Sequence, residues 1–415
     1  MRIGINGRFL VAKKTGVQRA AYNLIRALVS LDQENEYFLF TSHEELSKPE
    51  WQRPNVHVIP SGIMPGHTVK NILWEQLTLP FLARRYRVDL LHSPANMAPL
   101  FYRGHSVVHI HDVCFVVNPQ WYSFAFRTWY TWIIPRLARK AARVITNSNN
   151  SRNDLLQFCR LSVRKVSMVY WAVEDSFLNN SSSQGEDWPE KDYILYVGSL
   201  EPRKNIRTLV EAFQQLRRNH PELRTKLILI GGESPLFAEI KLNIVDFKDD
   251  IELKGFVDDP DLRGWYRNAR LVAYPSLYEG FGMPPLEAMA SGVPVVTSST
   301  SSLPEVVGDA ALKVNPCDVT ELSEAMGRLL QDEELRTQMA KAGYHQVRNF
   351  NWFRVARNIL AVYYEVCQKS RTEDTEDGEH QSYIPMNAWH KLIRMEEERI
   401  RSFQSGSDRR GVVME

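Results

Sequence analysis

Glu279-Gly-Phe-Gly-Met-Pro-Pro-Leu-Glu287 places two carboxylates on either side of a glycine-interrupted loop that runs into tandem prolines. Proline suits the start of a helix, where a missing N–H costs nothing, so Pro284 and Pro285 predict a helix N-terminus. The backbone N–H groups of Phe281, Gly282 and Met283 then face outward at the positive end of the helix dipole, where a diphosphate can sit. Glu287 falls in the first turn, within reach of ribose hydroxyls on the same ligand, while Glu279 stays on the loop and reaches a different hydroxyl. Carboxylates at this spacing also occur on acidic surfaces, and Gly-Phe-Gly is an ordinary turn, so the flanks decide. Arg270-Leu-Val-Ala-Tyr-Pro-Ser276 reads as a strand, Ala288-Met-Ala-Ser-Gly292 ends a short helix with Gly292 as C-cap, and Val293-Pro-Val-Val-Thr297 is the next strand. That series makes a ligand loop at the carboxyl end of a parallel strand.

Outward from this loop, short apolar runs alternate with helical periodicity, the pattern of parallel α/β layers. The first half predicts strands at Ile3-Gly-Ile-Asn6, Tyr37-Phe-Leu-Phe40, Val56-His-Val-Ile59, Asp89-Leu-Leu-His92, Val107-Val-His-Ile110, Arg143-Val-Ile-Thr146 and Val166-Ser-Met-Val169. A polar stretch, Asn179-Asn-Ser-Ser-Ser-Gln-Gly-Glu-Asp187, has linker composition. A second series follows: Tyr193-Ile-Leu-Tyr-Val197, Lys226-Leu-Ile-Leu-Ile230, Ile251-Glu-Leu-Lys254, Leu271-Val-Ala-Tyr274 and Pro294-Val-Val-Thr297. Between the first two of these, Ile206, Leu209, Val210, Phe213 and Leu216 keep helical spacing behind Asn205, read as an N-cap. The division is therefore residues 1–175, a linker at 176–191, a second domain at 192–369, and a segment at 370–415 holding an acidic linker and an amphipathic helix over 386–404. Docking of that helix on its own protein is favoured over a partner or membrane role.

Composition bounds the rest. A chain of 415 residues, 44% hydrophobic, has room for two cores, and a formal charge of +2 argues against a nucleic-acid binder, so any basic surface is local. Cys114, Cys159, Cys317 and Cys367 have neither metal-knuckle nor disulfide-framework spacing and read as core thiols in a reducing cytoplasm. The first residues read as a strand rather than a signal peptide, and no run of about 20 apolar residues offers a membrane span. Membrane contact, where present, is peripheral.

With Gly198-Ser-Leu-Glu-Pro-Arg-Lys-Asn205 and Ala288-Met-Ala-Ser-Gly-Val-Pro-Val-Val296 added to the opening motif, the chain resembles retaining glycosyltransferases of family 4 from Met1 to about Gln368. The resemblance implies the GT-B fold, two Rossmann-like domains facing across a cleft, with an acceptor-side first domain and a nucleotide-sugar-binding second domain. It implies that Arg203 and Lys204 face the donor diphosphate, that His111 of His109-Ile-His-Asp112 contacts the transferred sugar from the opposite domain, with Asp112 a weaker candidate, and that Glu279 holds sugar hydroxyls. Glu287 takes the ribose, and Gly255-Phe-Val-Asp-Asp259 contacts the base through Phe256 and Val257. Asp258 and Asp259 form an acidic pair read as a helix cap rather than a metal site. Where the family often carries a basic residue after the strand glycine, this chain has Ser199, which puts one phosphate contact in doubt. Thr15-Gly-Val-Gln-Arg19 borders donor and acceptor in similar enzymes, so Gly16 permits close backbone approach and Arg19 binds an anionic acceptor group; an exposed helix residue fits Arg19 equally, and Lys13 and Lys14 add charge nearby.

The expected activity is transfer of a hexose, without metal or cofactor, from a nucleotide diphosphate sugar to a glycan or lipid-linked oligosaccharide. Prepositioned cations stabilise the charge growing on the leaving diphosphate. Glu201-Pro-Arg-Lys-Asn205 and the overall pattern look like mannosyltransferases of bacterial surface-polysaccharide (lipopolysaccharide) assembly, with GDP-mannose the leading donor and UDP-glucose or UDP-N-acetylglucosamine open. A nucleotide-sugar epimerase and a catalytically silent nucleotide-sugar-binding protein are the alternatives. Finally, residues 120–143 lack acids and carry Trp121, Trp129, Trp132, Arg136, Arg139 and Lys140; contact with the inner face of the cytoplasmic membrane and packing on the sheet are both open.

Overall fold

Short β-rich apolar runs must bury both faces, which only a parallel sheet covered on each side allows. The computed structural model describes residues 1–12, 15–178, 192–232 and 246–372. In the first sheet, β1 (Arg2–Asn6), β2 (Glu36–Thr41), β3 (Val56–Pro60), β4 (Leu90–Ser93), β5 (His105–His109), β6 (Arg143–Thr146) and β7 (Val166–Met168) lie in the order β3-β2-β1-β4-β5-β6-β7. In the second, β8 (Tyr193–Val197), β9 (Lys226–Ile230), β10 (Ile251–Gly255), β11 (Leu271–Tyr274), β12 (Val295–Ser298) and β13 (Leu312–Val314) lie in the order β10-β9-β8-β11-β12-β13. Neighbouring strands pair in parallel throughout both sheets. Each sheet reverses its winding beside its first strand, and ligands of open α/β sheets bind outside the strand ends at that switch point. The loops leaving β8 and β11, which carry residues 198–205 and 275–282, flank the switch point of the second sheet.

Twelve of these strands lie within one or two residues of the apolar runs that predict them, whereas β13 has three residues, one of them Lys313. Two local expectations need correction. Asn205 does precede the helix Ile206–Asn219, but it adopts a left-handed conformation, φ 59°, and its side chain caps no helical N–H. Its amide instead donates to the carbonyls of Pro275 (3.1 Å) and Pro316 (2.6 Å), tying the β8 loop to the β11 loop. Of the four free cysteines, Cys114 and Cys159 are buried as expected, but Cys317 is exposed.

The helix Trp352–Thr372 follows the second domain in sequence yet packs on the first. Val355, Ala356, Ile359, Leu360 and Tyr363 share a buried cluster with Ile3, Leu24, Leu28 and Tyr37, and the Tyr363 hydroxyl lies 2.6 Å from Nδ1 of His92 in β4. The domain boundary expected at residue 369 therefore falls too late, because the chain crosses back near Trp352, whose ring touches both cores. The acidic linker beyond Thr372 and the amphipathic helix expected over 386–404 lie outside the described residues, as do Lys13, Lys14 and 179–191.

Truncating Ile359, fully buried in this crossing helix, to alanine removes methyl groups that nothing can replace, and we expect a loss of about 2–5 kcal/mol. A denaturant midpoint equal to that of the unaltered protein would contradict the crossing.

Candidate active site

The glycines of the opening motif have distinct backbone reasons. Gly282 sits at φ 128° immediately before the helix Met283–Ala290, and a Cβ there would come within 2.8 Å of Leu303. Gly280 meets the other domain: a Cβ would lie 3.0 Å from the His111 carbonyl oxygen and 3.1 Å from Asp112 Oδ2. The β11 loop thus presses backbone against the end of β5, an approach that the missing side chain eases. Polar contacts fix the approach. Ser151 Oγ donates to the Gly280 carbonyl (3.2 Å), and Asn147, its amide nitrogen turned toward both carbonyls, donates to those of His111 (2.8 Å) and Gly280 (3.1 Å). The Tyr278 hydroxyl donates to Asp154 (2.6 Å), and Glu305 accepts from the first backbone N–H groups of the helix Asn149–Phe158, at 2.9 and 3.1 Å. A carboxylate there meets unpaired donors at the positive end of the dipole.

At the centre of this contact, Glu279 is buried between two cations. Its carboxylate accepts from Arg203 Nη1 (2.8 Å), Lys204 Nζ (2.6 Å) and the Tyr274 hydroxyl (2.8 Å). Burial alone would raise the Glu279 carboxyl, but Lys204 and Arg203 overcome it and hold the group down at about 2. Lys204 is pulled below its ordinary value by burial and by the Arg203 charge, against the pull of Glu279. Arg203 also pairs with Glu201 at 2.7 Å, and Glu201 in turn accepts from Ser199 Oγ at 2.8 Å. The position where a basic residue is common therefore serves here to orient the carboxylate behind Arg203. Burial raises the Asp112 carboxyl, with Arg203 acting against it.

His111 meets the Gly280 backbone from the first domain through its carbonyl oxygen, while its ring lies against Trp171 and His109. Its ring stands edge-on to Trp171, with 4.6 Å between centroids, and is 3% exposed; beyond the backbone of Pro94, its nitrogens meet no polar group among the described residues within ordinary hydrogen-bond geometry. A buried polar atom left unpaired costs about 1–3 kcal/mol, so a ligand hydroxyl offered to the imidazole has a partner waiting.

Arg19 is no exposed helix residue. It lies 3.2 Å from Glu174, 3.6 Å from Asp259 and 3.4 Å from Glu287, so one guanidinium of the first domain binds two carboxylates of the second. Glu287, 4% exposed, also accepts from the Tyr266 hydroxyl at 3.0 Å, and burial raises its carboxyl while Arg19 acts against that. The other expected residues stand apart. The Phe281 ring packs on Trp171 and Phe350 in the core, so any ligand contact it makes is through backbone. Phe256 is 73% exposed, Val257 lies partly buried beside the second core, and a Cβ at Gly16 would meet nothing within 4 Å. Asp258 occupies the N-cap position before Asp259–Asn268, but its side chain makes no capping bond. Among the described residues, no group of three or more His, Cys, Asp or Glu is arranged to hold a metal ion.

A doubly wound second domain with a glycine loop at its switch point, closed on a first domain of like winding, is the GT-B architecture of glycosyltransferases. The chain matches the family model for glycosyltransferase family 4 over residues 14–177 and that for glycosyl transferases group 1 over residues 180–346, and it belongs to the family 4 glycosyltransferases. It is 31% identical over 294 residues to O-antigen chain mannosyltransferase B of Escherichia coli, an alignment covering 68% of this chain and 75% of that one. It is also 31% identical over 269 residues to the MMP α-(1→4)-mannosyltransferase of Mycolicibacterium hassiacum, covering 62% and 63%. A longer relative, the serotype-specific mannosyltransferase WbdA of Escherichia coli, is 26% identical over 73% of this chain and 41% of its own. Among solved structures, sucrose-phosphate synthase from Thermosynechococcus elongatus superposes with a TM-score of 0.69 at 20% identity, over 89% of this chain and 100% of that one. Anabaena HepE, crystallised with UDP and glucose, gives 0.63 at 18% identity, over 87% and 98%.

Burial holds the imidazoles of His92 and His111 down at about 3, against 6.5 for the free side chain. A depressed folded-state value means that the unfolded chain binds more protons as pH falls, so this stability is complete above about 6.5 and is lost through the window below it. We expect the melting temperature to drop as pH falls from about 6.5 toward about 3, and His111→Asn to flatten the drop. An identical slope in the variant would contradict the neutral buried imidazole.

Proposed function

We propose that the chain is a metal-independent, retaining mannosyltransferase that takes its sugar from GDP-mannose and acts at the cytoplasmic face on a lipid-linked or glycan acceptor of surface-polysaccharide assembly. The observation that carries the reading is the Glu279 carboxylate held between Arg203 and Lys204, on a loop whose next residue, Gly280, meets the backbone of His111 and the side chain of Asp112 in the first domain. The sugar is supported by the relatives, three of which are named mannosyltransferases.

In this reading the diphosphate lies at the N–H groups of Phe281, Gly282 and Met283, beside Arg203 and Lys204, and the ribose hydroxyls bind Glu287. Phe256, already in solvent, and Val257 lie against the base. Glu279 and His111 hold sugar hydroxyls from opposite sides, with His111 neutral and able to donate from one nitrogen and accept at the other. The acceptor hydroxyl attacks the anomeric carbon on the face from which the phosphate departs. As the new C–O bond forms, the bond from the anomeric carbon to the diphosphate oxygen breaks, its electron pair stays on that oxygen, and the acceptor proton passes to the leaving phosphate. The products are a glycoside of unchanged anomeric configuration and GDP. Two cations, Lys204 buried and Arg203 partly so, are already aligned by carboxylates and need no rearrangement as charge develops on the diphosphate, which supports a role that a metal ion plays elsewhere. Gly16 and Arg19 border the acceptor side of the same cleft, and the Arg19 link to Glu287 couples that side to the donor.

Thermal shift with GDP, GDP-mannose, UDP-glucose and UDP-N-acetylglucosamine, without added metal, tests the donor. We expect the guanosine ligands alone to stabilise the protein, Glu287→Ala to weaken that stabilisation, and Glu279→Ala to fold but lose transfer. Stabilisation by a uridine sugar alone would overturn the mannosyl reading. Wild-type transfer by folded Glu279→Ala would overturn the role of that carboxylate, and conversion of the donor without an acceptor would identify an epimerase.

A further inference from the structure

Four apolar side chains stand in solvent along one helical segment of the first domain. Val69, Leu73, Leu77 and Phe81 recur at every fourth residue between Thr68 and Arg85, and each is between 55% and 72% exposed. The same segment is anchored on its other side by Trp74, Leu79 and Ala83, which lie in a buried cluster with Phe38, Phe40 and Leu91. On an ideal α-helix a stripe at every fourth residue drifts by about 40° per step. Here the middle of the segment, Trp74–Thr78, is a wider π turn just ahead of Pro80, which has no N–H for the ladder, and all four side chains remain outward.

A second helix, Phe124–Lys140, covers the same face of the first sheet. Its inner residues Ile133, Ile134 and Leu137 pack on Val108 and Val144, whereas Val107 and Ile145 point to the opposite face with Gly16–Leu31 and Trp352–Thr372. The loop between the two helices joins them. Gln76 donates to the Ala98 carbonyl (3.1 Å) and accepts from the Leu100 N–H (2.7 Å), while Lys140 donates to the Leu100 carbonyl. Phe101 follows in solvent, and on the second helix Phe124, Trp129 and Trp132 are exposed, the two indoles stacked at 5.5 Å.

Charge on this part of the chain is one-sided. Residues 61–153 contain eleven Lys and Arg and three acids, although the whole protein carries only +2. Of the three acids, Glu75 is buried against Arg8 and Asp112 lies at the interdomain site, which leaves Asp89 alone in solvent. Lys70, Arg84, Arg85, Arg136 and Lys140 flank the apolar side chains and are exposed.

We propose that this face, built from the segment Thr68–Arg85, Phe101 and the helix Phe124–Lys140, docks the first domain on an anionic lipid bilayer. Aliphatic and aromatic side chains enter the headgroup boundary, and the surrounding cations meet lipid phosphates, a pairing of burial and charge that suits a monotopic surface. A second copy of the chain is the poorer occupant, because it would set like charges against each other. The inference stands independently of the sugar and acceptor assigned above. It also extends the contact beyond residues 120–143 to a helix whose stripe is interrupted in sequence by polar residues.

Sedimentation of the full chain with vesicles of phosphatidylcholine, with and without phosphatidylglycerol, tests it. We expect salt-sensitive binding to the anionic vesicles only, with a blue shift of tryptophan emission. Leu77→Glu with Phe81→Glu, and separately Trp129→Ser with Trp132→Ser, should each weaken binding at least roughly tenfold while leaving the melting temperature and the donor-induced thermal shift unchanged. That retained shift separates failure of the docking face from failure of the sugar-transfer reading. Absence of binding by the full chain, or binding unaffected by both pairs of substitutions, would overturn the proposal. So would a concentration-dependent dimer that the same substitutions abolish.

Discussion

One buried carboxylate shared by two cations sets the conditions for the rest of the molecule. Glu279 neutralises Arg203 and Lys204 in a region with little water, and Glu201 completes the balance from behind. Removing one member of such a network leaves a buried charge uncompensated, at a cost of about 3–5 kcal/mol. The arrangement therefore fixes the conformations of both loops that supply it, those leaving β8 and β11. Asn205 reinforces the same geometry by spanning the two loops with its amide.

Because Glu279 is held in that way, Gly280 can be held against the end of β5, where the backbones of the two domains come close together. Around this point the contacts are polar and individually modest: Ser151, Asn147, the Tyr278–Asp154 bond, Glu305 on a helix terminus, and Arg19 on Glu287. These polar groups can be hydrated when separated, but beside them Tyr170, Trp171 and Phe177 of the first domain pack on Phe281, Phe350 and Tyr266, so opening there would expose apolar surface. The crossing helix Trp352–Thr372 is different in character, because it buries an apolar face on the first domain and keeps the chain ends of the second domain tied to it.

What was legible in the sequence is what local backbone chemistry dictates. Buried parallel strands are continuous apolar runs, so Tyr193–Val197 and Lys226–Ile230 could be read to the residue, and glycine with proline fixed the loop before Met283–Ala290. The helix Trp352–Thr372 was not read from the sequence, and only the tertiary packing shows that its buried face belongs to the first domain. Tyr274 and Tyr266 were silent for the same reason: each acts through a carboxylate on another element. The motif of Arg203 and Lys204 did carry a signal for Glu201, two residues ahead of the arginine, once Ser199 replaced a base. The exposed stripe on Thr68–Arg85 escaped because an apolar residue every fourth position is ordinarily read as core, and exposure is visible only when the other side of the helix is seen to be buried.

A crystal structure of the protein with GDP bound tests the central claim most directly. We expect the diphosphate oxygens within hydrogen-bond distance of Arg203, Lys204 and the N–H groups that open the helix Met283–Ala290, with a ribose hydroxyl on Glu287. A diphosphate bound elsewhere, with Glu279, Arg203 and Lys204 left without contact to the ligand, would contradict it.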